Sequence, residues 1–364
     1  MISGDRSVLQ GKHGAFWYTL EEFSRHWDQI DVICPHVDST DLQFRDSFPT
    51  VFFFPCPGNL LHQSQWIVSK GSELTTAHHP DVMTVHEYFP FYNGIGAARL
   101  SRQTGIPYAL EIHHIVGHPH AASLVELVGR SASRLYLKRD SERAAAVRVV
   151  NTGAKETLKS YGVPEKKIHV VPSFYLNRDV ITQYGHAEKK FDVVFCARLV
   201  GNKGLFFLIE AMSDLPGRTL LVVGHGPGYH KARRYVEELG LGNRVTFSGW
   251  LDTHESVIAA LASGRVFVMN SMSEGGPRVA LEAMACRLPV VATRVGVMPD
   301  VIRDGVNGLF TDGRAKDLAA KINLLLRDET LRHRLGLEAE KVLDRFDRRT
   351  LIREYAEFLK GLSE

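Results

Sequence analysis

The sequence predicts an α/β protein built from two doubly wound, Rossmann-like domains. Short, almost continuously apolar runs recur along the chain, and stretches long enough for a helix separate them. Strands of this kind are typical of parallel sheets that helices cover on both faces. The length of 364 residues suits two ordinary domains, and 44% apolar with 23% charged residues indicates a globular protein with a sizeable core.

Six apolar runs predict the strands of the first domain. They are IDVIC (30–34), VFFF (51–54), VMTV (82–85), YALEIH (108–113), VRVV (147–150) and IHVVP (168–172). Because these runs are short and rich in β-branched or aromatic residues, we expect strands rather than buried helices. The first domain is therefore predicted to be a parallel sheet of βα repeats.

A second series of six runs predicts the other sheet. They are FDVVFC (191–196), TLLVVG (219–224), RVTF (244–247), RVFVMN (265–270), LPVVAT (288–293) and NGLF (307–310). Two βα arrays in tandem explain both series most simply.

A polar, turn-rich stretch at 172–192 marks the predicted boundary, which gives domains of residues 1–172 and 173–347. The last segment, 348–364, contains RRTLIREYAEFLKGL, whose apolar residues repeat at helical spacing. We expect a helix that either docks back on the first domain or caps the second.

Charge and cysteine content exclude several classes of protein. A net charge of +3 and a pI near 8.6 are too mild for the concentrated basic face of a nucleic-acid binder. The four cysteines are scattered without CxxC pairing, which favours a reducing cytosol. No stretch approaches the roughly 18 apolar residues of a membrane span, and the start is polar rather than signal-like. We expect a cytoplasmic protein.

The stretch SEGGPRVALEAMACRLPVV (273–291) predicts a ligand site. Gly275, Gly276 and Pro277 follow the strand 265–270 and precede a helix expected at about 277–286. Ligands of open α/β sheets bind beyond the carboxyl ends of the strands. Bare backbone N–H groups and a helix N-terminus there favour a phosphate, and proline suits the first helical turn.

Glu274 and Glu282 flank this turn. A carboxylate beside a phosphate would repel it, because both are negatively charged. Carboxylates do accept hydrogen bonds from sugar or ribose hydroxyls. Phosphate together with polyol points to a nucleotide sugar. The alternative is that Glu274 only complements the helix dipole and that Glu282 is a surface residue.

Two further turns are compatible with phosphate. CARLVGNKGLFFLIEA (196–211) places Arg198 after a strand and Lys203 at the start of the next helix, where two cations suit a diphosphate. VGHGPGYH (223–230) follows the next strand and includes Gly224 and Gly226. Taken alone, this glycine turn is equally consistent with a tight βα connection.

Together these motifs resemble the retaining GT-B glycosyltransferases of family 4, also called group 1, the sucrose-synthase and mannosyltransferase type. The resemblance covers nearly all of 191–312. It is looser in the first half, at GKHGAFWYTLEEFSRHW (11–27), DVMTVHEYF (81–89) and GIPYALEIHH (105–114). It implies two Rossmann-like domains that face a central cleft.

The resemblance also implies roles for the donor-site residues. Arg198 and Lys203 would bind the diphosphate and Glu282 the donor ribose, while Glu274 with the Gly275–Gly276 amides would hold the transferred sugar. Gly224, Gly226 and Pro277 would belong to the same donor site.

On the acceptor side, the resemblance implies that His113, rather than its neighbour His114, lines the sugar and the acceptor. Gly14 would lie in a loop near the leaving phosphate. Transfer would retain the anomeric configuration without a protein nucleophile. No D-x-D motif occurs, so we expect no metal and no cofactor besides the sugar donor.

The chain departs from the family pattern at four places. Only about ten mostly polar residues precede Gly11, where the family has its first strand, so that strand is short, divergent or truncated. PSFYLN replaces an Asn-Gly pair after the interdomain strand. Arg287 stands where a glycine normally ends the helix, so it must adopt a left-handed conformation or end the helix otherwise. Pro277 and Arg278 replace glycine and an apolar residue, and Arg278 is a candidate contact for a charged donor or acceptor.

Several alternatives stay open. A sugar-nucleotide epimerase, a phosphorylase or a non-catalytic nucleotide-binding scaffold fits the same architecture, whereas a dehydrogenase lacks its G-x-G-x-x-G after the first strand. The segment 113–143 combines an apolar stripe with Arg130, Arg134, Lys138 and Arg139. It is either a solvated basic helix or a peripheral contact with anionic lipid, which would suit a lipid-linked acceptor. The sequence identifies neither the acceptor nor the oligomeric state.

Overall fold

The computed structural model describes residues 1–12, 14–38, 47–118 and 124–363. The chain divides into two compact units. Unit 1 comprises Met1–Val116, Leu127–Ser173 and Arg348–Glu364, and unit 2 comprises Gly117–Glu126 and Phe174–Asp347. The C-terminal helix therefore lies in unit 1.

Unit 1 contains six parallel strands, and all six lie at predicted runs. They are β1 (Ile30–Cys34), β2 (Val51–Pro55), β3 (Met83–His86), β4 (Tyr108–Ile112), β5 (Ala146–Val149) and β6 (Ile168–Val170). β1 pairs with β2, while β3 to β6 form a sheet in sequence order. β4 is buried at every position, as expected for a central parallel strand.

Ile2 makes isolated bridges to both groups of strands in unit 1. Ile2 pairs in parallel with Ile33 of β1 and with Val85 of β3, so it links the two groups of strands. Its backbone N–H donates to the carbonyl of Thr84 at 2.7 Å, and its carbonyl accepts from His86 at 2.9 Å.

Unit 2 holds the other six strands in one parallel sheet. They are β7 (Phe191–Cys196), β8 (Leu220–Val223), β9 (Val245–Gly249), β10 (Gly264–Met269), β11 (Val290–Ala292) and β12 (Leu309–Phe310). The strand order is β12-β11-β10-β7-β8-β9, so the chain reverses direction across the sheet between β7 and β10. Ligands of doubly wound sheets bind at such a switch point.

Helices cover both sheets. In unit 1 they are α1 (Ala15–Phe23), α2 (Leu60–His78), α3 (Tyr92–Thr104), α4 (Leu124–Arg143), α5 (Thr152–Ser160) and the C-terminal α15 (Arg348–Lys360). In unit 2 they are α6 (Arg178–Tyr184), α7 (Leu205–Ser213), α8 (Tyr229–Glu238), α9 (His254–Ala262), α10 (Arg278–Ala285), α11 (Met298–Val301), α12 (Ala315–Arg327), α13 (Glu329–Glu340) and α14 (Val342–Arg345). The start of α4 carries residues that group with unit 2.

The helix after the Gly-Gly-Pro turn begins one residue later than predicted. Pro277 is its N-cap, with φ −71° and ψ 82°, and α10 starts at Arg278. A ψ of 82° is outside the helical range, so Pro277 precedes the first turn instead of forming part of it.

Candidate functional site

The first predicted site segment follows β7 at the switch point of unit 2. Arg198 lies two residues beyond the strand and is exposed. Lys203 ends a short 3₁₀ turn, and Gly204 follows with φ 69°. A Cβ at Gly204 would lie 2.0 Å from the Asn270 carbonyl oxygen. Only glycine therefore lets this loop pass so close to the end of β10.

The structure brings Lys203 and Glu274 into contact. Lys203 Nζ donates to Glu274 Oε1, and Ser271 Oγ donates to the same oxygen at 2.8 Å. Both charged side chains are mostly buried, with 19% and 15% of their surfaces exposed. The ammonium comes from the loop after β7 and the carboxylate from the loop after β10. The two strands at the switch point thus supply one charge each.

The Gly-Gly-Pro turn is also shaped by packing within unit 2. A Cβ at Gly276 would lie 1.9 Å from Cδ1 of Phe174, and Phe174 packs against Phe346 with ring centroids 5.7 Å apart. The absence of a side chain at Gly276 is thus required by an aromatic neighbour. The sequence argument gave ligand approach as the only reason for this glycine.

Glu282 is buried inside α10 and is not the surface residue of the alternative reading. His254 Nε2 lies 2.8 Å from its Oε1, and Arg278 Nε lies 3.2 Å from the same atom. Burial alone would raise the pKa of Glu282, but the charge of Arg278 and the bond from His254 outweigh it, so the pKa is lowered. Glu282 is therefore ionised.

His254 is the site residue that the sequence analysis missed. It is the first residue of α9, whose N-cap Thr253 accepts a bond from the Ser256 N–H. Its contact with Glu282 joins residues 28 positions apart. The only sequence signal is a histidine directly after a capping threonine, and that pattern does not indicate a partner.

The glycine turn after β8 supports the loop that carries Arg198. Cβ atoms at Gly224 and Gly226 would lie 2.1 Å from the Ala197 carbonyl oxygen and 2.7 Å from the Leu199 carbonyl oxygen. The Leu199 N–H donates to the carbonyl of His225 at 3.0 Å. Two backbones in direct contact leave no room for side chains. Gly224 and Gly226 thus hold the Arg198 loop in place.

Glu282 also lies close to the end of β7. The pKa of the Cys196 thiol is raised to about 12, first by burial and then by the charge of Glu282. Cys196 is the last residue of β7 and stands two positions before Arg198. The loops after β7 and β10 and the first turns of α9 and α10 therefore surround one region of unit 2.

His113 lies in unit 1, directly after β4. Its ring stacks on His86 with centroids 4.4 Å apart, and its Nε2 donates to Glu111 Oε2 at 3.1 Å. Burial of Glu111 would raise its pKa, but Arg148, 2.8 Å away, together with His113 lowers it to about 2. Burial lowers the pKa of His86 to about 3, and His113 adds to that effect. A permanently charged carboxylate therefore orients the His113 ring.

Gly14 is the N-cap of α1, with φ −97° and ψ −165°. Apart from Gly14 and its chain neighbours, no atom of the described residues lies within 4 Å of the position that its Cβ would take. Other residues adopt this backbone conformation, so local packing does not require glycine there. None of the helices within the described parts of the chain is long and apolar enough to cross a bilayer.

Two family models match consecutive parts of the chain. Residues 177–342 match the model described as Glycosyl transferases group 1, and residues 16–175 match the model described as Glycosyltransferase Family 4. The crystal structure of HepE from Anabaena in complex with UDP has a TM-score of 0.75 and 22% identity, over 99% of this chain and 98% of that one. This likeness confirms the predicted GT-B fold class.

Curated relatives agree with these matches. The lipopolysaccharide core biosynthesis glycosyltransferase LpsE of Rhizobium meliloti is 36% identical over 169 residues, 46% of this chain and 49% of its own length. The N-acetyl-alpha-D-glucosaminyl L-malate synthase of Bacillus anthracis is 26% identical over 341 residues, 88% of this chain and 87% of its own length. The chain spans half or less of the length of the curated relatives that share 36% identity with it.

Proposed function

Because the chain belongs to the group 1 and family 4 glycosyltransferases, we propose that it transfers a sugar from a nucleoside-diphosphate sugar to a hydroxyl acceptor. One observation carries the proposal, the contact of Lys203 with Glu274 at the switch point of unit 2. A cation suited to phosphate and an acid suited to hydroxyls are neighbours there. A donor that joins a diphosphate to a sugar needs such a pair.

In the proposed donor complex, Lys203 exchanges Glu274 for a phosphate oxygen, and the exposed Arg198 binds the diphosphate beside it. Glu274 then accepts hydrogen bonds from the transferred sugar, next to the amides of Gly275 and Gly276. Opening the mostly buried Lys203–Glu274 pair is costly, and the new bonds to phosphate and to sugar hydroxyls offset that cost.

Glu282 is proposed to accept hydrogen bonds from the donor ribose, because it is ionised and lies beside the same loops. Gly224, Gly226 and Pro277 act indirectly, since they shape the turns that carry the binding groups. His113 and Gly14 are proposed to serve the sugar and acceptor side. The carboxylate of Glu111 supports this role, because it fixes the orientation of the His113 ring.

We propose transfer with retention, in which the acceptor hydroxyl attacks on the face from which the diphosphate leaves. The bond from the anomeric carbon to the diphosphate oxygen breaks, the acceptor oxygen bonds to that carbon, and the leaving phosphate takes the hydroxyl proton. Arg198 and Lys203 stabilise the charge that grows on the leaving diphosphate. The proposal assigns no protein nucleophile and no metal.

The test is a panel of UDP-, GDP- and ADP-sugars incubated with the protein, with release of nucleoside diphosphate as the readout. We expect slow hydrolysis of at least one donor by the wild type, and its loss in Glu274→Ala at unchanged thermal stability. Interconversion of the sugars without an acceptor would support an epimerase instead. Sugar phosphate formed only with added inorganic phosphate would support a phosphorylase, and binding without turnover would support a scaffold.

We also propose that the acceptor is linked to lipid and that α4 contacts the membrane peripherally. The first turns of α4 expose Leu124, Val125, Leu127 and Val128, each by more than half of its surface. Exposed cations follow on the same helix at Arg130, Arg134, Lys138 and Arg139. Exposed apolar residues beside basic ones favour anionic lipid.

Pelleting with anionic liposomes tests this contact. We expect salt-sensitive binding that falls when the four cations of α4 are changed to glutamine. The control changes Arg233 and Arg234, two exposed cations of α8, to glutamine. Pelleting that is insensitive to salt and equal in both variants would contradict the membrane contact.

A further inference from the structure

Glu282 is a buried carboxylate whose charge depends on two neighbours. Only 3% of its side chain is exposed, and burial of this kind opposes ionisation. Arg278 and His254 reverse the effect and lower the pKa of the carboxyl. A neutral carboxyl accepts hydroxyl bonds less strongly than a carboxylate does. A change at Arg278 or His254 therefore alters how strongly Glu282 accepts hydrogen bonds from a ligand.

Both neighbours bind the same oxygen. His254 Nε2 and Arg278 Nε lie 2.8 Å and 3.2 Å from Oε1, respectively. Within the described residues no hydrogen bond to Oε2 is found, and a carboxylate has room for about two bonds on each oxygen, so Oε2 can accept from a further donor. The carboxylate is thus held from one side only.

His254 is the better fixed of the two partners. It opens α9, which is held in the core by Ile258, Leu261 and Ala262. Its side chain is 19% exposed, whereas that of Arg278 is 39% exposed. An imidazole also has fewer rotatable bonds than an arginine side chain, so it fixes a bonded atom at a lower cost in entropy.

We propose that His254 is a positioning residue for the sugar donor, which holds Oε1 of Glu282 so that Oε2 accepts a hydroxyl of the donor ribose. This inference rests on the proposed function, because it assigns Glu282 to the donor. His254 itself does not touch the donor. Its loss should therefore weaken donor binding and leave the turnover of bound donor almost unchanged.

The experiment compares His254→Ala, His254→Gln and the control His333→Ala, which changes an exposed histidine of α13. Calorimetry with UDP, GDP and ADP gives Kd, and donor-dependent initial rates give KM and kcat. We expect His254→Ala to raise Kd and KM by about 10- to 100-fold, the worth of a hydrogen bond to a charged group. Glutamine, which has an N–H group at a similar reach, should restore most of the affinity, and His333→Ala should match the wild type.

A second readout does not depend on a ligand. Carbon-13 NMR of the glutamate carboxyl groups, with Glu282 assigned by the signal lost in Glu282→Gln, should show a higher pKa of Glu282 in His254→Ala. A folded His254→Ala protein with wild-type Kd and an unchanged Glu282 titration would overturn the role of His254. A wild-type protein that takes up none of the three nucleotides would overturn the proposed function instead.

Discussion

Two carboxyl groups, those of Glu87 and Asp140, lie close together in unit 1. A Cβ at Gly94 would lie 1.8 Å from Glu87 Oε2 and 2.9 Å from Asp140 Oδ2, so these oxygens are close neighbours. Neither atom has a hydrogen-bond partner among the described residues. Burial, and then the charge of Asp140, raises the pKa of Glu87 to about 8. Glu87 therefore takes up a proton when the chain folds.

This proton uptake predicts a stability that depends on pH. The pKa of Glu87 is about 8 in the folded protein against an ordinary 4.5. The contribution of this proton uptake to the free energy of unfolding is therefore complete at low pH and is lost as the pH rises through that interval. Glu87→Gln keeps a neutral side chain at every pH. We expect it to match the wild type near pH 4.5 and to be more stable by on the order of 2–4 kcal/mol near pH 8.

Urea denaturation at several pH values gives this difference directly. The matched control is Glu188→Gln, at an exposed glutamate. A stability difference between Glu87→Gln and the wild type that stays constant with pH would contradict the prediction. Glu87 would then be charged in the folded protein.

Arg198 and Lys203 are the cations assigned to the leaving diphosphate. We expect Arg198→Ala to lower kcat/KM by about 100-fold or more, as loss of a group that stabilises transition-state charge does. Arg233→Ala, at an exposed arginine of α8, should leave kcat/KM unchanged. Wild-type activity should also survive EDTA, measured as nucleotide release. Activity that EDTA abolishes and Mg²⁺ restores would contradict this assignment.

At the scale of elements, α10 ends in an unusual way. The Leu288 N–H donates to the Ala283 carbonyl, and the Arg287 N–H donates to that of Met284, which is the Schellman pattern. Arg287 occupies the left-handed position with φ 60°. The sequence analysis predicted either this left-handed conformation of Arg287 or a different end to the helix. α13 packs so close that a Cβ at Gly336 would lie 2.3 Å from the Arg287 carbonyl oxygen.

This helix end predicts a stabilising substitution. Arg287→Gly removes a left-handed cost of about 1–2 kcal/mol. It also removes a half-exposed ion pair with Glu340, worth about 0–1 kcal/mol. We expect a net gain of about 1 kcal/mol, or about 2–4 °C in Tm. Arg287→Ala, which keeps the strain and loses the pair, should melt below the wild type. If Arg287→Gly also melts below it, the pair with Glu340 outweighs the strain.

The strands were predictable because each is a short, almost continuously apolar segment whose pattern is local. All twelve predicted runs are strands, with limits that shift by a few residues, as at Met83–His86. The loops of the proposed donor site could be picked out for the same reason, since strand ends and glycine turns can be recognised in the sequence alone. The bridges of Ile2 and the contact of His254 with Glu282 could not be predicted from the sequence, because both join distant segments of the chain.

At the scale of the whole molecule, the C-terminal helix α15 completes a buried polar network in unit 1. Tyr355 of α15 donates to Glu111 Oε1, and its hydroxyl lies 2.7 Å from Thr84 Oγ1. The Arg148 guanidinium stacks on its ring at 3.6 Å. Residues from three strands of the sheet and from the C-terminal helix thus meet in one buried polar network.

Tyr355→Phe tests how much this network stabilises unit 1. The change removes the hydroxyl that donates to Glu111 Oε1 and contacts Thr84 Oγ1. We therefore expect a loss of about 1–3 kcal/mol in the free energy of unfolding. In a Trp250→Phe background the other three tryptophans all lie in unit 1, so fluorescence follows that unit alone. Tyr184→Phe, at an exposed tyrosine of α6, is the control. Equal midpoints for both variants would mean that the hydroxyl of Tyr355 adds nothing.

The membership of α15 in unit 1 also bears on how the protein is made. A ribosome completes every segment of unit 2 before it adds Arg348–Lys360, which belong to unit 1. The earlier segments of unit 1 therefore wait for α15, while unit 2 already has all of its segments. A nascent chain stalled just before α15 would carry a complete unit 2 together with an incomplete unit 1.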